Sequence, residues 1–346
     1  CNMLTSIDIP EGITKLFRST FSGCSRLEKV SLPSTLIEID DSAFEGCEKL
    51  VEISIPSSVK VIGSGAFRLC SALPEICIPD GVSVINWRTF TGCTSLHSMH
   101  LPDSVRLIEG SAFENCTSLE EVTIPDAVEE IKYSAFENCT SLKAVHYNKM
   151  QGKVAITAFD NCDALADENG MVIIANTLWR YVGAGGDVVV PDGVEILAPN
   201  VFREGSIWAS RSKLVRFRTE NSLHSVTLPS SLKTIGDSAF CNCKGLTEIT
   251  IPDGVESIDE ESFIDCEKLT KIEFPDSVLR VGKQAFRGCT VLQNAKLSTS
   301  MTELTAELFY GCKSLKSLTI PSAINSIGID AFRGCSSLKS IEVDEG

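Results

Sequence analysis

Apolar residues recur along this chain in a fixed order. Leu27, Val30, Leu32, Leu36, Ile39, Ala43, Phe44 and Cys47 return 23 residues later as Leu50, Ile53, Ile55, Val59, Ile62, Ala66, Phe67 and Cys70. The intervening residues are mostly polar. Partial alternation over Leu27 to Leu32 predicts a half-buried strand. Pro33 ends that strand, because proline has no N–H to give to a ladder. Leu36 and Ile39 predict a second, shorter extended segment, and Ala43-Phe44 closes the unit. The residue before the cysteine is Gly23, Gly46, Gly92, Gly288, Gly311 or Gly334, or else Asn115, Asn138, Asn161, Asn242 or Asp265. These types tolerate a positive φ, so a left-handed turn is expected there, with Leu69 as a strained exception.

The pattern is an internal repeat. Phe21, Phe44, Phe67, Phe90, Phe113, Phe136 and Phe159 keep a spacing of 23, as do Phe240, Phe263, Phe286, Phe309 and Phe332. Between Phe159 and Phe240 lie 81 positions, 35 more than two repeats, and Phe202 restores the register eleven residues after Pro191. The excess divides into two insertions, at about 166–187 and about 206–220. The first contains Met171 to Val182, read as a β-hairpin standing off the array, with a glycine-rich return from Gly183 to Gly186. The second contains Trp208, Arg211, Lys213, Arg216, Phe217 and Arg218, a basic and aromatic island. Two domains would be the default for 346 residues. The repeat instead predicts one array over residues 1–346, in which each unit buries its apolar face against its neighbours.

Composition sharpens the pattern. There are 16 phenylalanines but only 4 tyrosines and 3 tryptophans. Stacked at the strand spacing of ~4.8 Å, thirteen phenylalanines would form an internal spine. A tyrosine there would need a partner for its hydroxyl. Of the 15 cysteines, thirteen follow the same period, from Cys1 to Cys335, leaving Cys77 and Cys241 outside. The ladder cysteines are read as small buried thiols, with disulfides between neighbouring turns as the alternative. No CxxC occurs and no histidine accompanies the ladder, so no metal or other cofactor is expected. Lys plus Arg is 31 against 46 for Asp plus Glu, a net charge of −15, which disfavours nucleic-acid binding. No apolar run approaches the ~20 residues of a membrane-spanning helix.

A complete unit such as Leu119-x-x-Val122-x-Ile124-Pro125-x-x-Val128-x-x-Ile131-x-x-x-Ala135-Phe136-x-x-Cys139 resembles the BspA-like, or Treponema-type, leucine-rich repeat. So does Leu246-x-x-Ile249-x-Ile251-Pro252-x-x-Val255-x-x-Ile258. Asn148 and Ser298 depart from the pattern where proline is expected, and Gly205 where cysteine is. The resemblance implies a leucine-rich-repeat solenoid. It would be mainly β and right-handed, a curved array with a parallel concave sheet, short convex strands and turns, and a central hairpin. It also implies a protein-binding or adhesion module at a cell surface, without catalytic activity.

Candidate contact residues follow from the outward strand positions. Two residues before each proline position run Asp8, Ser31, Ser54, Cys77, His100, Thr123 and His146, then Val189, Thr227, Thr250, Glu273, Lys296, Thr319 and Glu342. His100 and His146 are the candidates on this face, and Trp179, Tyr181, Trp208, Arg211, Arg216 and Arg218 those of the insertions. Cys77 and His100 form a formal thiol–imidazole pair without an orienting third group, so no catalytic centre is assigned. Asn115-Cys116-Thr117 and Asn138-Cys139-Thr140 are glycosylation sequons whose asparagines the turn already explains. The expected partner is a protein or glycan ligand at a cell surface or outside the cell, a cytoplasmic location remaining open. The alternative is a structural module associating end to end. Cys1 begins mid-repeat and Leu338-x-x-Ile341-x-Val343 is a strand without a following turn, so both ends read as truncated from a longer protein.

Overall fold

The computed structural model describes residues 3–147, 153–155, 157–204 and 223–344, and the strand backbone of 206–210 and 213–216. The chain forms two compact units, Cys1–Ala166 and Asp167–Gly346. Both are parallel-sheet solenoids made of short strands and turns. The one helix among the described residues is a single 3-10 turn, Asp163–Leu165.

In the first unit each repeat contributes a longer and a shorter strand, for example Lys29–Ser31 and Glu38–Ile39. Both stack in parallel on the equivalent strand of the next repeat, Ser6 against Lys29 and Lys15 against Glu38. The register is therefore the sequence period itself. Leu27, Leu36 and Ile39 are fully buried and Val30 nearly so, as the alternation predicts. The left-handed turn before the cysteine is also observed, with Gly46 at φ +72°, Asn115 at +62° and Leu69 at +61°. A second left-handed position lies four residues earlier, at Ser19, Ser42, Arg88, Ser111 and Ser134. No glycine preference marks it in the sequence.

The rings of Phe21 through Phe159 stack in one column, with centroids 5.0–5.6 Å apart and planes within 12°. These distances lie in the range that aromatic quadrupoles favour for stacked pairs. The cysteines do more than fill space. Each ladder thiol from Cys47 to Cys162 donates to the carbonyl of the phenylalanine one repeat back, as in Cys70 Sγ to Phe44 O and Cys116 Sγ to Phe90 O, both 3.2 Å. That carbonyl also accepts the N–H of the cysteine in its own turn, as in Cys93 N to Phe90 O at 3.1 Å. Both of its lone pairs are thus satisfied inside the core. All fourteen described cysteines are free thiols.

Both sheets of this unit part at one repeat boundary, between Glu52–Ile53 and Glu75–Cys77 and between Val61–Ile62 and Val84–Ile85. The causes are local. Elsewhere the residue after the first leucine donates one repeat back, as Glu28 to Thr5 O and Val51 to Glu28 O. The next such donor is Pro74, which has no N–H. In the shorter strands Asp40 and Gly63 donate their backbone N–H one repeat back. At the corresponding place the Asn86 side-chain amide takes the Ile62 carbonyl instead, at 2.7 Å. The turns bridge the gap, with Gly65 N to Trp87 O at 2.8 Å and Phe67 stacked on Phe90 at 5.6 Å.

The second unit repeats this plan and corrects the reading of its hairpin. Met171–Ile174 and Thr177–Tyr181 do pair antiparallel. They do not stand off the array, because Thr177–Leu178 pairs in parallel with Ile196–Leu197 and opens a six-stranded sheet. The hairpin is apolar on both faces, so exposure would leave one of them in water, and it is buried instead. Tyr181 takes the place of a ladder phenylalanine, its ring 5.3 Å from that of Phe202. Its hydroxyl finds the partner a buried tyrosine needs, accepting from Gly185 N–H at 3.3 Å. A Cβ on Gly183 would lie 2.5 Å from this ring, which is why the return there is glycine. From Phe202 to Phe332 the column continues with centroids 4.9–6.2 Å apart.

The second insertion, the basic and aromatic island, also forms a hairpin, Ser206–Ser210 paired antiparallel with Lys213–Arg216. Its base is held by Glu204, fully buried, whose carboxylate accepts from Leu223 N–H at 3.1 Å.

Candidate functional site

The outward face of the longer strands is the most regular exposed surface of each unit. In the first, Glu75–Cys77, Ser98–His100, Glu121–Thr123 and Ala144–His146 form a four-stranded parallel sheet. Ile76, Met99 and Val122 point into the core, so residues on either side of them face water. Cys77, His100, Thr123 and His146 thus form one exposed column, adjacent in register. His146 Nε2 lies 3.9 Å from Glu121 Oε2. His100 and His146 are two strands apart, with Thr123 between them, too far to share a ligand directly. No group of three or more His, Cys, Asp or Glu residues among the described ones is placed to hold a metal ion. Two shallow grooves lie on these faces. One of about 570 Å³ in the first unit is lined by Lys29, Ser31, Glu52 and Ser54. One of about 510 Å³ in the second is lined by Thr250, Lys271, Glu273 and Lys296.

Cys77 differs chemically from every other described cysteine. It is exposed, Cys335 is half-buried, and the remaining twelve are buried. Burial pushes the thiols of Cys47 and Cys93 up to about 12, and those of Cys70, Cys116, Cys139 and Cys266 well above the ordinary range. A thiol-directed reagent is therefore expected to modify Cys77 in the native protein and the buried twelve only after denaturation. Peptide mapping of the labelled sites checks this, and rapid native labelling of Cys93 or Cys116 would contradict it.

The other sequence candidates are dispersed. Trp179 and Tyr181 are 9% and 7% exposed and belong to the interior of the second unit, so neither ring protrudes as an anchor. The sequence cue was their place in an insertion, and what hides them is the pairing of that insertion with Ile196–Leu197. Trp208 and Arg216 lie on the two strands of the second hairpin. Arg211 and Arg218 fall outside the described residues. Trp87 and Tyr133, 43% and 57% exposed, were not singled out. Their signal is their column, two residues after Ile85 and Ile131, where Arg18, Asp41, Ser64 and Gly110 are the other described occupants in the first unit.

No helix among the described residues is long and apolar enough to cross a membrane. Comparison with known proteins agrees with the geometry. A leucine-rich repeat protein from Bacteroides ovatus is 28% identical, over 99% of this chain and 79% of that one, with a TM-score of 0.52. The leucine-rich repeat protein of T. pallidum is 32% identical over 47% of this chain and 79% of its own, with a TM-score of 0.45. A leucine-rich cell surface protein from Faecalibacterium prausnitzii is 23% identical over 99% of this chain and 88% of its own, with a TM-score of 0.31. None of the curated proteins matches the chain. The BspA type leucine-rich repeat region matches in six copies, over residues 1–116, 70–172 and 215–345. With that match spread over most of its length, and a 23-residue register visible in both its sheets and its core, the chain belongs to the BspA-type leucine-rich repeat family.

Proposed function

We propose that this protein is a non-enzymatic recognition module of the cell surface, which binds a protein or glycan ligand through the outward face of its longer strands and through the second hairpin. Leucine-rich repeat proteins are in general protein-interaction modules, and the finer reading rests on the face itself. One observation carries it: the column Cys77, His100, Thr123 and His146 is exposed on a sheet whose other side packs into the core through Ile76, Met99 and Val122. Such a surface is rigid before binding, so little ordering entropy opposes association. The hairpin bearing Trp208 and Arg216 supports the second element, since tryptophan and arginine are the residue types that dominate interface energies.

Cys77 provides the test, being a thiol on the face in question. The native protein carrying a photocrosslinker on Cys77 is expected to form a discrete adduct with its ligand in material from its native source. The double variant His100→Glu, His146→Glu should lose that adduct while keeping its melting temperature. An adduct that persists unchanged in the variant would remove the face from the proposal. Deleting residues 207–218 tests the hairpin in the same assay, and unaltered adduct formation would exclude it.

A further inference from the structure

The turn that follows Val84–Ile85 in the first unit carries a feature the long-strand reading does not use. The Arg88 guanidinium lies over the Trp87 ring, its Cζ 4.3 Å from the ring centroid. Among the described residues no hydrogen bond or ion pair holds that side chain, and its Nε is buried without a partner. Stacking fixes the plane of the guanidinium, whose planar fork of N–H donors suits a two-pronged carboxylate. Arg88 is also the one cation of its column and sits at φ +56°, a left-handed conformation that costs a branched-off side chain free energy.

The neighbouring turns carry little side-chain bulk at these positions. Gly65 and Gly110 occupy the repeats on either side of this pair. Beyond Gly110 stands Tyr133, whose ring tip lies over that glycine, a Cβ there being only 2.9 Å from the ring. Two exposed rings thus stand in one column, Trp87 against the guanidinium and Tyr133 leaning over the glycine between them. We propose that this turn face is a binding site for an acidic glycan, with the carboxylate on Arg88 and the apolar sugar faces against Trp87 and Tyr133.

The chemistry favours a glycan over an acidic peptide. The backbone here has no free edge for an extended chain: Gly65 N–H donates to Trp87 O at 2.8 Å, Arg88 N–H to Gly110 O at 3.2 Å and Ser111 N–H to Tyr133 O at 3.1 Å. What the surface offers is flat rings and one charge-assisted donor set. The net charge of −15 opposes anions at a distance, but several of the nearby carboxylates are engaged elsewhere. Lys132 holds Glu109 at 2.7 Å, Arg68 holds Glu45 at 2.5 Å, and Asp41 accepts from Ser64 N–H at 2.8 Å.

The test uses trigalacturonate and sialyllactose, with methyl-esterified trigalacturonate, lactose and hexaglutamate as controls, read by calorimetry and by tryptophan fluorescence. At least one of the acidic sugars is expected to bind saturably, and its uncharged counterpart ~10-fold or more weaker. Arg88→Gly should reduce binding by a similar factor while leaving the melting temperature equal or higher, since glycine suits this φ. Tyr133→Ala should weaken binding without restoring affinity for the uncharged control. Absence of saturation with both acidic sugars up to ~10 mM would overturn the proposal, as would equal binding by Arg88→Gly. Hexaglutamate binding as tightly as the sugars would transfer the site to acidic peptides and equally overturn it.

Discussion

Raising the pH above about 9 is expected to unfold this protein within roughly one pH unit, because its buried thiols cannot ionise in place. Desolvation by burial is the main cause of their raised values. It moves Cys47 and Cys93 to about 12 and Cys70, Cys116, Cys139 and Cys266 well above the ordinary range. In the unfolded chain the same thiols titrate near ~8.5. Between those two values the folded state binds more protons than the unfolded one, so stability falls as pH rises, and it is fully present below about 8.5. Each such thiol contributes a slope of ~1.4 kcal/mol per pH unit. Five of them remove ~7 kcal/mol over one unit, comparable with the whole stability of an ordinary domain. Circular dichroism between pH 7 and 11 should show a steep, multi-proton transition. Retention of the native spectrum to pH 11 would contradict the burial of the ladder.

Replacing Phe113 with alanine is expected to cost ~3–5 kcal/mol in denaturant melts. The ring is fully buried and stacked between Phe90 at 5.4 Å and Phe136 at 5.0 Å. Its removal leaves a cavity walled by two rings whose own carbonyls are held by thiols, so collapse around it is restricted. Phe332 makes the useful contrast. It is half-buried and touches one ladder ring, Phe309 at 6.2 Å, so alanine there should cost less than half as much. A loss below ~1 kcal/mol at Phe113 would contradict a load carried by the column.

The long-strand face was legible because it follows from period and alternation alone. Val122 and Thr123 adopt opposite faces for the same reason in every repeat. The candidate residues of the insertions were less legible. Burial of Trp179 and Tyr181 depends on a strand pairing with Ile196–Leu197 that no local pattern announces. The pairing of Arg88 with Trp87 was equally hidden, since each is unremarkable where it stands in the sequence and their meaning lies in Gly65, 23 residues before Arg88, and Gly110, 23 residues after Trp87.

By itself the sequence determined the 23-residue register, the strand faces, the phenylalanine and cysteine columns and the left-handed turn before each cysteine. All of these are repeated, and repetition lets many weak local preferences agree. Only the tertiary structure decided where the repetition is interrupted. Pro74 and Asn86 part both sheets at one boundary, and Tyr181 stands in for a phenylalanine once Gly183 makes room. Each of these depends on one specific contact between residues distant along the chain, and such a contact has no period by which the sequence could reveal it.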